Sequence, residues 1–246
     1  MTAPAWITPA IPPAQLEAAA ARLPQMNPVA EGAWLTRDSA FTAQLDEKAR
    51  LIAHDRSKVI GLCAGAEAAA DELLDVVLTE IAAKGYTVGD TDVLRPDGVT
   101  VVIDRADPLL TLSRLVQEDF CIHEKREGEG EHRLTAALLC FPAAWTLSEK
   151  LGQKLTRIHV PVAPYTDEIA ARVQRFFDMV RWERPLWRAN LLRYDDPALF
   201  QPHTEAHPRP VGTPTSPYWR SERQSLRRLP QTGAVVFSIH TTMCLA

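Results

Sequence analysis

Histidine offers this chain its most versatile chemistry, and one of its seven histidines is set apart by its neighbours. His159 lies in KLTRIHVPVAPY, directly after Ile158 and just ahead of Pro161 and Pro164. Proline disfavours helical backbone in the residue before it, so the segment presenting His159 is expected to be a loop or a broken helix. Neutral imidazole can give one ring nitrogen to iron while a carbonyl or carboxylate holds the other, which makes His159 a candidate axial haem ligand. A core or surface histidine fits the same spacing.

A second set of reactive groups lies in SERQSLRRLP, where Glu222, Arg223 and Gln224 share a strand candidate with Arg227. In a half-buried strand each unmet polar group costs about 1 to 3 kcal/mol. Such a set is therefore either a solvated sheet edge or a polarised pocket wall. In a pocket, Glu222 could bind an amine or relay protons, and arginines could meet carboxylates such as haem propionates. LWRANLLRY alternates as a strand does and puts Arg188 and Asn190 on one face.

Other pairs carry weaker signals. His203 and His207 in HTEAH have the i, i+4 spacing of a helical zinc site, but no Glu follows the first His and Pro202 and Pro208 flank the pair. His123 and His132 are expected to face each other across a hairpin as an ordinary cross-strand polar pair. Cys63, Cys121, Cys140 and Cys244 form no C-x-x-C pair, so neither a zinc ribbon nor an iron–sulfur site is spelled out. Cys121 and Cys140 fall in apolar runs and are expected to be buried thiols. Dinucleotide, phosphate-loop and nucleophile-elbow motifs are missing, so a redox reaction here would need electrons from another protein.

The 246 residues suffice for one large domain or a domain with an appended layer, and the net charge of −4 gives no field to steer a polyanion. Nucleic acid is excluded as an expected partner. No apolar run reaches the roughly 18 residues of a membrane span, and the N-terminus lacks a basic then apolar leader, so a soluble, cytoplasmic protein is expected.

The elements that must position these groups follow in order. Six prolines in residues 1–30 suggest an extended arm lying on the domain. Residues 31–117 read as a helical layer, with Phe41, Leu45 and Ile52 on one stripe and Leu73, Leu74, Val77, Leu78 and Ile81 on another. Gly85 is expected to end the second helix, and Asp107-Pro108 to cap and open a third. TVVID at 100–104 is a short strand candidate. Strands over 119–124 and 133–141 flank REGEGE as a hairpin, and Thr146-Leu147-Ser148-Glu149 has the pattern of a capping box on a short helix closed by Gly152. Thr166 is expected to cap a longer helix, followed by the LWRANLLRY strand, a proline-rich loop and a final hairpin.

The order from residue 118 onward is hairpin, helical crossover and three strands. That predicts an α+β fold: a PAS-like five-stranded antiparallel sheet with a helical crossover, plus the N-terminal helical layer. The three divisions, 1–30, 31–117 and 118–246, are expected to form one compact unit.

LCFPAAWTLSEKLGQKLTRIHVPVAPY, RVQRFF, LWRAN, DDPALFQP and SERQSLRRLPQTGAVVFSI, with the earlier GAWLTRDSAFTAQLDEKARLI and LVQED, closely resemble the family of the haem-binding α subunit of haem-dependent oxidative N-demethylase. The likeness runs from about residue 25 to 241. It implies a PAS-like haem b domain that N-demethylates a small secondary amine such as dimethylamine, using O2 and NADPH-derived electrons. FMN, a 2Fe-2S cluster and tetrahydrofolate are expected on partner subunits, including an NADPH-dependent reductase, in a homo- or hetero-oligomer. Carried over by position, His159 is the expected proximal iron ligand. Glu222, Arg223 and Asn190 are expected at the catalytic centre, and Arg188, Gln224 and Arg227 against the cofactor. The sequence departs from the family pattern at Asn190-Leu191, where Trp is expected after Asn, and members are expected to continue into a helical tail after the last strand. A PAS-type haem gas sensor, or a haem-binding module without catalysis, is the alternative.

Overall fold

The computed structural model describes residues 3–21, 26–159, 167–210 and 212–246. In chain order the elements begin with β1 (Ile7–Thr8), α1 (Pro13–Ala20), β2 (Asn27–Pro28), α2 (Phe41–Asp55), β3 (Ile60–Leu62) and α3 (Glu67–Ala82). Then come β4 (Thr87–Val88), β5 (Asp92–Leu94), β6 (Thr100–Val102), α4 (Pro108–Leu115), β7 (Asp119–Glu124) and β8 (Arg133–Leu138). Last come α5 (Leu147–Lys150), α6 (Leu155–His159), α7 (Asp167–Met179), β9 (Leu186–Tyr194), β10 (Tyr218–Arg228) and β11 (Val235–Leu245).

Local sequence explains most of these. The apolar stripes of α2 and α3 are buried, and the chain leaves α3 through Gly85 at φ 80°, a conformation that costs other residues a Cβ clash. Asp107 caps α4 by accepting from the Leu110 N–H, with Pro108 at the first helical position. The α5 start differs from the capping-box expectation. The Thr146 hydroxyl donates to the Glu149 carboxylate at 2.9 Å instead of capping a backbone N–H, and that carboxylate accepts the Glu205 N–H. A long-range backbone donor has displaced the local one.

The five expected strands lie side by side in the order β9-β10-β11-β7-β8, all antiparallel, but the sheet is larger than five. It has eight strands: β2 extends the β9 edge, β3 the β8 edge, and β1 runs parallel to the far end of β11. The N-terminal region is not purely helical either, since β4, β5 and β6 form a separate three-stranded sheet whose β6 is the first three residues of TVVID. None of the helices among the described residues is long and apolar enough to cross a membrane.

Alternation along the strands gives the large sheet two covered faces. Phe120, Ile122 and Val236 join Trp34, Leu45, Leu73 and Leu112 in the larger core beneath α2, α3 and α4. On the opposite face Cys121, Ala137 and Ile239 pack with Leu147, while Leu226 and Val235 pack with Leu155 of α6, Phe177 of α7 and Val180 just after it. Each fully buried Leu or Phe stabilises this arrangement by about 1.5 to 3 kcal/mol. The crossover between β8 and β9 thus closes over one face and the N-terminal layer over the other. Cys121 and Cys140 are buried as expected, and burial pushes both thiols up.

Candidate functional site

The polar face of β9 and β10 lies on the crossover side. Cross-strand register sets Glu222 opposite Asn190 and Gln224 opposite Arg188, with Thr241 of β11 on the other flank of Glu222. Directly opposed residues share a face, so register alone assembles a cluster. Its centre is the Glu222 carboxylate, 6% exposed. Oε2 accepts from Asn190 Nδ2 at 3.1 Å and Gln224 Nε2 at 3.0 Å, and Oε1 accepts from Arg220 at 3.2 Å. Asn190 Oδ1 in turn accepts the Glu222 N–H, and Arg188 Nε donates to Gln224 Oε1 at 2.9 Å. The Thr241 hydroxyl is buried without a hydrogen-bond partner among the described residues. Arg188 and Leu192 are exposed, so this face opens to solvent over β9.

Arg220 is the member that sequence reasoning missed. It is almost fully buried, and its guanidinium also donates to the Leu199 and Phe141 carbonyls. The signal was present: Arg220, Glu222 and Gln224 are two apart, the period that places strand residues on one face.

The same period separates Arg223 and Arg227 from the cluster. Both point to the N-terminal layer. Arg223 donates to the carbonyls of Trp34 (2.9 Å) and Ala33 (2.8 Å) and lies over Trp187, while Arg227 pairs with Glu80 at 3.3 Å and lies over Trp34. They tie the layer to the sheet on the face away from Glu222. LVQED has the same architectural part: Gln117 bonds Asp38 and Gln44, Glu118 accepts the Thr36 N–H, and Asp119 accepts the Phe141 N–H.

His159 is the last described residue of α6, so the backbone leading to it is helical where a loop or broken helix was expected; Pro161, Pro164 and Thr166 lie outside the described residues. Its Nδ1 is 2.8 Å from the Leu155 carbonyl, which can only accept, so the ring proton sits on Nδ1 and Nε2 carries the lone pair. Burial lowers its pKa; the Leu155 carbonyl opposes that, while the positive charges of Lys150 and Arg188 reinforce it. The result is a neutral imidazole on the crossover side, within electrostatic reach of Arg188.

His123 and His132 do not pair with each other: the strand register sets Leu134 opposite His123. Both rings pack on Phe177, at 5.1 and 5.5 Å between centroids, and Gln174 bonds His132 Nδ1 at 2.8 Å. HTEAH forms a turn, not a helix, in which the Thr204 hydroxyl meets His207 Nδ1 at 3.3 Å. No group of three or more His, Cys, Asp or Glu among the described residues is arranged to hold a metal ion.

Fold and site together define an α+β protein in which a helical crossover closes over one face of an antiparallel sheet, beside a buried carboxylate cluster and a neutral histidine. Residues 25–245 match a family model described as haem-dependent oxidative N-demethylase, alpha subunit-like, and the chain belongs to that family. A comparison with curated proteins gives no match.

Proposed function

We propose that this chain binds haem b through His159, between the sheet and the crossover, and oxidatively N-demethylates a small secondary amine of the dimethylamine kind. O2 is the oxidant, and electrons come from an NADPH-dependent reductase partner, with FMN, a 2Fe-2S cluster and tetrahydrofolate on partner subunits of the oligomer. The observation that carries this reading is His159, neutral and with its proton on Nδ1, the form in which imidazole ligates iron. The wider geometry fits. A helical crossover joins β8 to β9, the two outer strands of the order β9-β10-β11-β7-β8, which supports a PAS-like reading of this part of the sheet. We read residues 118–246 as the haem-binding part, 31–117 as a supporting layer and 1–30 as an arm, in one compact unit.

When bound, haem supplies the one-electron and O2 chemistry. The chain's own residues orient the amine. The Glu222 carboxylate is held by Asn190, Gln224 and Arg220, which leaves a lone pair on Oε1 to accept a hydrogen bond from the amine and to take the extra proton of its ammonium form. Arg188, exposed beside the cluster, meets a cofactor carboxylate, and Gln224 fixes its Nε.

The test is spectroscopic. The haem-loaded protein is expected to show a Soret band that survives gel filtration and disappears in His159→Ala. Glu222→Gln should keep that band and lose its shift on addition of dimethylamine, together with formaldehyde release under an electron supply. A colourless protein after haem reconstitution overturns the haem reading. Haem binding with neither an amine-dependent shift nor formaldehyde overturns the demethylase and leaves a haem-binding module.

A further inference from the structure

We propose that Glu205, at the centre of HTEAH, is a positioning residue for His159, acting through Lys150 and Arg157 to hold α6. Its functional meaning rests on the haem reading above. The five described residues of α6 make too few hydrogen bonds of their own to fix their position, so what grips them from outside matters. His159 is bonded to Leu155 within the same helix, so its ring moves as the helix moves.

Two grips are visible. At the first turn the Glu131 carboxylate accepts from the Thr156 N–H (3.2 Å) and hydroxyl (2.6 Å). Beside His159, Lys150 donates to the Ile158 carbonyl at 2.7 Å and to Glu205 Oε1 at 2.9 Å, and its side chain is 5% exposed. Arg157 meets both Glu205 oxygens, at 2.9 and 3.0 Å, in a two-pronged pair. The Glu205 backbone is anchored to α5 by its N–H to the Glu149 carboxylate.

One carboxylate on the loop after β9 therefore joins α5 to α6 on the turn that carries His159. It is also the only carboxylate among the described residues that pairs with buried Lys150. Neutralising it removes the one ion-pair partner that Lys150 has among the described residues, and a buried ammonium left without one moves to reach water. The spacing of HTEAH thus serves its central Glu, and its histidines need hold no metal.

The experiment compares Glu205→Gln with the parent, both as full-length haem-loaded protein and haem-free. Haem loss to excess apomyoglobin is expected to quicken about 10-fold or more, the scale seen for outer partners of metal-ligating histidines. The iron–histidine stretching frequency of the ferrous form should shift, and amides 155–159 should exchange faster in the haem-free protein. Glu205→Asp should restore part of each change. Arg157→Gln, which alters an exposed partner, should shift them the same way by less and serves as the second variant if Glu205→Gln folds poorly. A lowered melting temperature with haem loss, stretching frequency and amide exchange all unchanged overturns the proposal. If the parent binds no haem through His159, the haem reading fails separately, and amide exchange alone decides whether Glu205 holds α6.

Discussion

Two buried histidines meet opposite fates because of what surrounds each ring. His240 Nε2 donates to Asp38 at 3.2 Å, and its Nδ1 is 3.3 Å from the Glu118 carboxylate. Burial pulls its pKa down, but the two carboxylates outweigh burial and hold it at about 9. His123 has no such partner; burial, with the charges of His132 and His159, takes it down to about 3. The signs follow from proton uptake. His240 binds its proton more tightly when folded, so its contribution is complete below the ordinary value of 6.5 and is lost as pH rises through about 9. On the order of 3 kcal/mol is at stake. His123 binds its proton less tightly when folded, so stability falls as pH drops from 6.5 towards 3. Urea midpoints across pH 4 to 10 should peak near 6.5, and His240→Gln should flatten the alkaline limb while leaving the acid limb. An unchanged alkaline limb would sink this assignment.

At the scale of elements, the loop after β9 does more than connect strands. It supplies the Leu199 carbonyl to Arg220 and the Glu205 carboxylate to α6, and it returns to β9 so closely that a Cβ on Gly212 would lie 2.1 Å from the Arg193 carbonyl oxygen. Backbone cannot yield there as a side-chain tip can. Gly212→Ala should cost about 1 to 3 kcal/mol and lower the melting temperature by several degrees. Gly130→Ala, with nothing within 4 Å of the added carbon, is the matched control and should be near neutral. Equal effects at the two positions would show that the close approach does not matter.

Across the whole molecule, the layer and the sheet are joined by buried charge as well as by the apolar core. Lys48 of α2 is fully buried, 3.0 Å from Asp119 at the start of β7, and donates to the Glu118 carbonyl at 2.6 Å. The other Asp119 oxygen accepts the Phe141 N–H at 2.6 Å, so one ion pair ties together α2, β7 and the chain leaving β8. Removing one partner strands the other charge away from water. Lys48→Met should cost about 3 to 5 kcal/mol, and Lys48→Met with Asp119→Asn should cost less than Lys48→Met alone. Additive losses in a denaturant double-mutant cycle would show the pair to be uncoupled.

Much of the fold was legible residue by residue. The apolar stripes of α2 and α3, the Asp107-Pro108 start of α4 and the alternation in β9 and β10 are local patterns, and local backbone preference and burial periodicity act within a few residues. The same alternation puts Glu222 and Gln224 on one face and Arg223 and Arg227 on the other, yet all four were expected together at one site. Nothing local marked β1, β2 and β3, which have two or three residues each and exist because a long strand offered them unpaired backbone. Nor could it say which face the crossover would cover, that Arg220 would be buried against Glu222, or that Glu205 would meet Lys150 and Arg157. Those outcomes depend on desolvation and ion pairing between residues far apart in the chain, and such energies exist only once the layers have packed.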